Sequence, residues 1–184
     1  MTSTINVDTI GENTSGSGVT IDSVLIKDGV VNGIFEMVDM WQLTANITTD
    51  GTNNITSNLS RYTSGTLVTT IGTGMTESSG QFSFPSTGKY LIQVQGYLAS
   101  RSNGAGDARL YTQATDDNFS TSSRINWNRV YANAYNQYTT TFSQTLVDIT
   151  DTSNDKIIFQ SYTSGDGEIL GTYTIFGFYK LGET

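Results

Sequence analysis

From Phe35 to the C-terminus, short strand-like runs alternate with turn-forming clusters, and no stretch holds a long helical period without also fitting a strand. "MWQLTANIT" is followed by "TDGTNN", "TLVTTI" by "GTGMTESSG", and "ARLYTQAT" by "DDNFSTSS". Further on, "YTTTFSQTLVDI" precedes "TDTSND", "KIIFQSY" precedes "TSGDGE", and "GTYTIFGFYKL" ends the series. Turn residues at this spacing predict an all-β sandwich. The lone proline, Pro85, falls at a natural corner between "QFSF" and "STGKYLI". "WNRVYANAYNQY" places its apolar residues at both helical and strand spacing, so its type stays open.

Residues 1–36 read differently from residues 37–184. "INVDTI" (Ile5 to Ile10) and "VTIDSV" (Val19 to Val24) share one pattern at an offset of 14, with "GENTSGSG" between them. This is a strand repeat present in two copies, and repeat stacks need about three units to close a core. Two short strands from one chain cannot cover their own aliphatic side chains, whereas copies from other subunits can. The segment therefore predicts a short intersubunit β shaft, most simply threefold, with Ile5, Val7, Val19, Ile21 and Val24 at its contacts. A loose tail, or a strand lying on the main domain, is the alternative.

The last strand makes a second case for assembly. Tyr173, Ile175 and Tyr179 share one face, and Phe176 and Phe178 share the other. A strand that is apolar on both sides needs cover on both, and a two-sheet sandwich supplies only one. Tyr173, Phe176 and Phe178 are accordingly expected near a trimer contact, the alternative being a strand with solvated aromatics.

The formal charge of −8 argues against nucleic acid, which demands a basic surface. The chain contains no cysteine and no histidine, which excludes disulfides, thiolate chemistry, His-based triads and His/Cys zinc sites. No cofactor is expected. No apolar run approaches the roughly 20 residues of a membrane span, and "MTSTINVDTI" lacks the basic and apolar regions of a signal peptide.

Carboxylates are plentiful: Asp107, Asp116, Asp117, Asp148, Asp151, Asp155, Asp166 and Glu168. Almost all lie in turn-like stretches, where Asp bonds to backbone two positions on. They read as turn residues, with a calcium site or a catalytic pair as alternatives. Residues 118–147 hold Arg124 and Arg129 and no acid, together with Trp127, Tyr131, Tyr135 and Tyr138 among Asn and Gln. Aromatic area beside directional donors suits a receptor-binding surface. The competing reading puts these aromatics in the core or at a subunit contact.

"GQFSFPSTGKYLIQVQGYL" resembles the central signature of the complement-globular-head and tumour-necrosis-factor-like jelly roll, with Gly80, Phe82, Pro85, Gly88 and Tyr90 in the signature places. "LVDITDTSNDKIIFQ" is similar to that family's late hairpin, and "TYTIFGFYKL" to its aromatic last strand. "MWQLTANITTDG", "TDDNFSTSS" and "FGFYKLGET" look like virion structural proteins of bacteriophages, and "VTIDSVLIKDG" resembles the shaft repeats that precede such heads. The resemblance implies a jelly-roll β-sandwich at residues 37–184, a homotrimer, and a non-enzymatic tail or head fibre in the virion. Its N-terminus would join other virion proteins of the capsid or tail, and its heads would meet a host surface glycan or protein. No collagen-like stalk accompanies it. A soluble lectin-like or ligand-like recognition protein is the alternative, and a glycan depolymerase a weaker one.

Overall fold

A computed structural model describes residues 10–11, 13–14, 17, 19–21, 24–27, 30–31, 35–63, 69–101, 104–132 and 137–184. The chain divides into two compact units, Met1–Ile34 and Phe35–Thr184.

In the first unit, β1 (Val19–Ile21), β2 (Val24–Lys27) and β3 (Val30–Val31) form one antiparallel sheet. Val19 pairs with Ile26 and Ile21 with Val24, so these strands find backbone partners within one chain. Ile5 and Val7 lie outside the described residues, as do the side chains of Val19, Ile21 and Val24.

The second unit is two facing antiparallel sheets. Its strands are β4 (Met37–Leu43), β5 (Gly51–Asn54), β6 (Leu59–Arg61), β7 (Thr76–Ser78), β8 (Gln81–Ser83) and β9 (Gly88–Ser100). There follow β10 (Gly106–Thr115), β11 (Ser123–Ala132), β12 (Tyr138–Ile149), β13 (Lys156–Gly165), β14 (Gly167–Ile169) and β15 (Ile175–Gly182). One sheet runs β11-β10-β13-β8-β7, with β5 also on β13, and the other runs β12-β9-β15-β4-β6, with β14 also on β9. "WNRVYANAYNQY" resolves as strand at both ends, in β11 and the start of β12.

Strict alternation builds the core. β4 and β9 bury every second residue, sending Met37, Trp41, Leu43, Tyr90, Ile92, Val94 and Leu98 inward. Phe82, fully buried, meets Trp41 edge-on at 5.1 Å, Phe159 at 5.5 Å and Phe178 at 5.2 Å. Phe159 also stacks on Phe176 at 4.0 Å. Phe176 and Phe178, expected at a subunit contact, are thus fully enclosed between the two sheets. The correction has a simple cause: alternation shows that a strand has two faces, but not which of them the opposite sheet covers. The outer face of β15 belongs to Ile175 and Tyr179, both only half-buried.

The "GQFSFPSTGKYLI" stretch has a geometric basis. Ser79 and Gly80 both have positive φ (51° and 84°) in the two-residue turn joining β7 to β8, as a twisted hairpin requires. A Cβ on Gly80 would lie 2.1 Å from the Ile55 carbonyl oxygen. After the corner at Pro85, the Tyr90 hydroxyl donates to the Ser86 carbonyl at 3.0 Å and fixes the entry into β9. Gly80→Ala is expected to destabilise the head by roughly 1–3 kcal/mol, read as a lower urea midpoint. An unchanged midpoint would contradict the close approach.

Candidate functional site

Two outward sheet faces carry side chains that the core does not use. The first is the outer face of β12-β9-β15-β4. Register places Leu146 beside Leu91, Leu91 beside Tyr179, and Tyr179 beside Val38, which bridges to Ile71. A second row sets Phe142 beside Gln95, and Gln95 beside Ile175. At one end Tyr97 stacks on Tyr138 at 5.8 Å and meets Tyr173 edge-on at 5.2 Å. Phe142 and Leu146 are each 60% exposed, and Tyr173 is 59% exposed. Directly opposed residues share a face, so these apolar side chains share one outer face, interrupted by Gln93, Gln95 and Gln144.

The second face is the outer side of β11-β10-β13. Here Asp107 pairs with Tyr131, Arg109 with Arg129, and Tyr111 with Trp127. On the other flank Arg109 pairs with Tyr162 and Tyr111 with Gln160. Arg109 and Arg129 sit directly opposite each other, an arrangement that repels. Asp107, 5% exposed, resolves it: its carboxylate accepts from Arg109 Nε at 3.0 Å and from Arg129 Nε at 3.1 Å and Nη2 at 3.0 Å. Arg109 Nη2 closes a further short bond to the same carboxylate.

The Arg109 hydrogen bonds lower the Asp107 pKa against the opposing effect of burial, and Arg129 adds to the lowering. A carboxylate depressed in the folded state contributes stability that is complete above its unfolded value of about 3.9 and is lost as pH falls through the folded value. Asp107→Asn is expected to cost about 1–3 kcal/mol at pH 7 and to remove that acid-dependent component. Equal urea midpoints for the two proteins at pH 7 would show the carboxylate to be dispensable.

The structure therefore sorts the expected receptor-binding residues. Trp127, Arg129 and Tyr131 share the outer face of β11, and Arg124 lies over the Tyr111 ring at 3.6 Å. Trp127 and Tyr131 are each 58% exposed. Tyr138 belongs instead to the other sheet, against Tyr97. Tyr135 lies outside the described residues. Arg109, Tyr111 and Asp107 were not singled out as members of this surface, although the alternation of "DARLYTQ" signals them. On the inner side of β11, Ile125 and Val130 pack on the core while Asn128 is buried.

Of the other carboxylates, Asp117, Asp151 and Asp155 serve their own turns, Asp166 and Glu168 tie distant segments together, and Asp148 in β12 faces Lys89 at 3.6 Å. Asp117 accepts from Thr121 N, Thr121 Oγ1 and Thr115 Oγ1 at 2.7–2.9 Å, and the Thr121 backbone bond leads in lowering its pKa. Asp151 accepts from Ser153 N, which likewise lowers its pKa first. Asp155 accepts from Thr150 N and Asp151 N, and Asp166 from Gly104 N. Glu168 accepts from Asn46 Nδ2. Among the described residues, no group of three or more carboxylates could hold a metal ion, and no helix is long and apolar enough to cross a membrane.

No family model matches the chain, and no curated protein matches it. Solved structures do. The Eiger TNF of S. frugiperda superposes with a TM-score of 0.55 at 13% identity, over 80% of this chain and 93% of that one. Murine APRIL superposes with a TM-score of 0.50 at 14% identity, over 79% and 98%. The fold is a TNF-like jelly roll. At this identity the likeness concerns the fold. Both candidate surfaces are then the outer faces of the two sheets of this jelly roll.

Proposed function

We propose that the chain is a non-enzymatic virion protein of a bacteriophage, a homotrimeric fibre or spike. Its leading unit joins it to other capsid or tail proteins, and its jelly-roll heads face outward to contact the host surface or to decorate the particle. The observation that carries the assembly is the apolar outer face of β12-β9-β15-β4. Several large apolar side chains left exposed on one sheet face favour an interaction site there. In a threefold ring this face meets a different patch of the next copy, and three such heterologous contacts close the assembly. The phage role is supported by the resemblance of "MWQLTANITTDG", "TDDNFSTSS" and "FGFYKLGET" to virion proteins. The engagement of Asp117, Asp151, Asp155, Asp166 and Glu168 in bonds within the fold favours a binding role over catalysis. Three linked heads turn weak single contacts into avid attachment.

Sedimentation of the full chain at micromolar concentration is expected to give the mass of three chains, and a single-chain mass would overturn the assembly. Imaging of intact particles is expected to place the chain on the virion. A soluble recognition protein of the same fold is the second reading, favoured by the TNF-like neighbours, and absence of the chain from purified particles would select it.

A further inference from the structure

Of the chain's 9 basic residues, three lie on the outer face of β10 and β11. They are Arg109, Arg124 and Arg129, and Asp107 pairs with Arg109 and Arg129 but not with Arg124. Arg124 has no carboxylate partner among the described residues and rests on Tyr111. A chain of net charge −8 has thus gathered an excess of guanidinium on one open face. Each guanidinium lies over a tyrosine ring, Arg124 over Tyr111 at 3.6 Å, Arg109 over Tyr162 at 4.5 Å and, more loosely, Arg129 over Tyr131 at 5.8 Å. The close ring contact restrains the Arg124 fork of donors before a ligand arrives, so less entropy is lost on binding.

Trp127 stands between Arg124 and Arg129 along β11, its ring more than half exposed. Arg124 to Tyr131 extends about 20 Å along the strand. The surface is a pleated sheet face with an open hollow lined by Arg124, Ile125, Asn126 and Trp127. It offers what an extended, ring-built polyanion needs: aromatic faces for the apolar sides of the rings, and forked donors for carboxylates between them.

We propose that this face binds an acidic polysaccharide, a chain of carboxylate-bearing sugars. Trp127 and Tyr131 stack on the rings, and Arg124 takes a carboxylate through its free donors. Arg129 and Arg109, half-neutralised by Asp107, supply the neighbouring positive field. The remainder of the molecule, being acidic, repels such a polymer, so binding is confined to this face. This inference deepens the reading of the head as a host-contacting module and names its ligand class.

The test uses the full chain, with hexameric galacturonate, hexameric mannuronate and hexameric guluronate as probes, and the carboxyl-reduced hexamer of each as its neutral control. Titration calorimetry is expected to show binding to at least one uronate that weakens with added salt and falls about tenfold or more for the reduced sugar. Trp127→Ala and Arg124→Ala are each expected to weaken it by a similar factor at unchanged circular dichroism and sedimented mass. Arg124→Lys, which keeps the charge but loses the fork, is expected to fall between. No binding to any of the three uronates overturns the proposal, as does equal binding of the reduced sugars or indifference to both alanine variants. Host adsorption that survives removal of surface polysaccharide, yet is lost in Trp127→Ala, would assign the face to a protein receptor and also overturn it. Sedimented mass reads the trimer independently, so failure here leaves the assembly standing, and the reverse holds too.

Discussion

Replacing Asp39 by alanine is expected to lower the unfolding free energy of the head by about 3–5 kcal/mol. Asp39 occupies an inward position of β4 and is fully buried. A carboxylate there is tolerable only because every side of it meets a donor. Arg61 Nε and Nη2 reach it at 2.8 and 3.0 Å, Trp41 Nε1 at 2.9 Å and the Met75 amide at 2.8 Å. Thr70 Oγ1 adds a longer contact at 3.4 Å. The Asp39 hydrogen bond is also the leading cause of a raised Arg61 pKa, against the opposing effect of burial.

One side chain thereby ties β4 to β6 and to the segment that leads into β7. Alanine would strand the Trp41 indole N–H and the Met75 amide in the interior, while Arg61, whose side chain is 40% exposed, could turn to water. Asp39→Asn keeps an acceptor and should lose about half as much. Urea unfolding followed by tryptophan fluorescence checks both variants. An alanine variant with the wild-type midpoint would remove this carboxylate from the account of how the sandwich is held.

Phe142→Asp combined with Leu146→Asp is expected to raise the dissociation constant of the proposed trimer by about 100-fold or more, leaving single chains at micromolar concentration. Both side chains point outward from β12 and are 60% exposed in the lone chain. Their loss therefore costs the fold little. Burial of each at a contact contributes roughly 1.5–3 kcal/mol, and a carboxylate forced into the same contact adds a desolvation cost. Every 1.4 kcal/mol is about tenfold in affinity. Sedimentation reads the mass and circular dichroism confirms the retained sheet. A double variant that still sediments as three chains would move the interface off this sheet. Phe178→Asp makes the contrast: buried against Phe82, it should unfold the head rather than dissociate it.

Residues 118–147 show how far pattern carries. That Trp127, Arg129 and Tyr131 fall at period two could be read directly, but so could a helical spacing over the same residues. Only pairing with β10 chose the strand and set Arg129 against Arg109. Tyr138 looked equivalent to Tyr131 by composition, yet it stacks on Tyr97 in the opposite sheet. Alternation could place Asp107 on the face of Arg109 and Tyr111, but not name its partners. Its role as the shared counter-ion of two arginines depends on cross-strand register, which a one-residue slip would abolish.

What the residues determined alone was the class of structure: β-branched runs cut by Gly, Asn and Asp turns, and a corner at Pro85. These are local constraints, set by φ, ψ and the spacing of side chains along one strand. What the tertiary structure decided was sidedness. The alternation of "TYTIFGFYKL" declares two apolar faces, but it was the opposite sheet, bringing Phe82 and Phe159 down on Phe176 and Phe178, that made one face the core and left Ile175 and Tyr179 outside. Period two is symmetric between the faces of a strand, and only a packed neighbour breaks that symmetry.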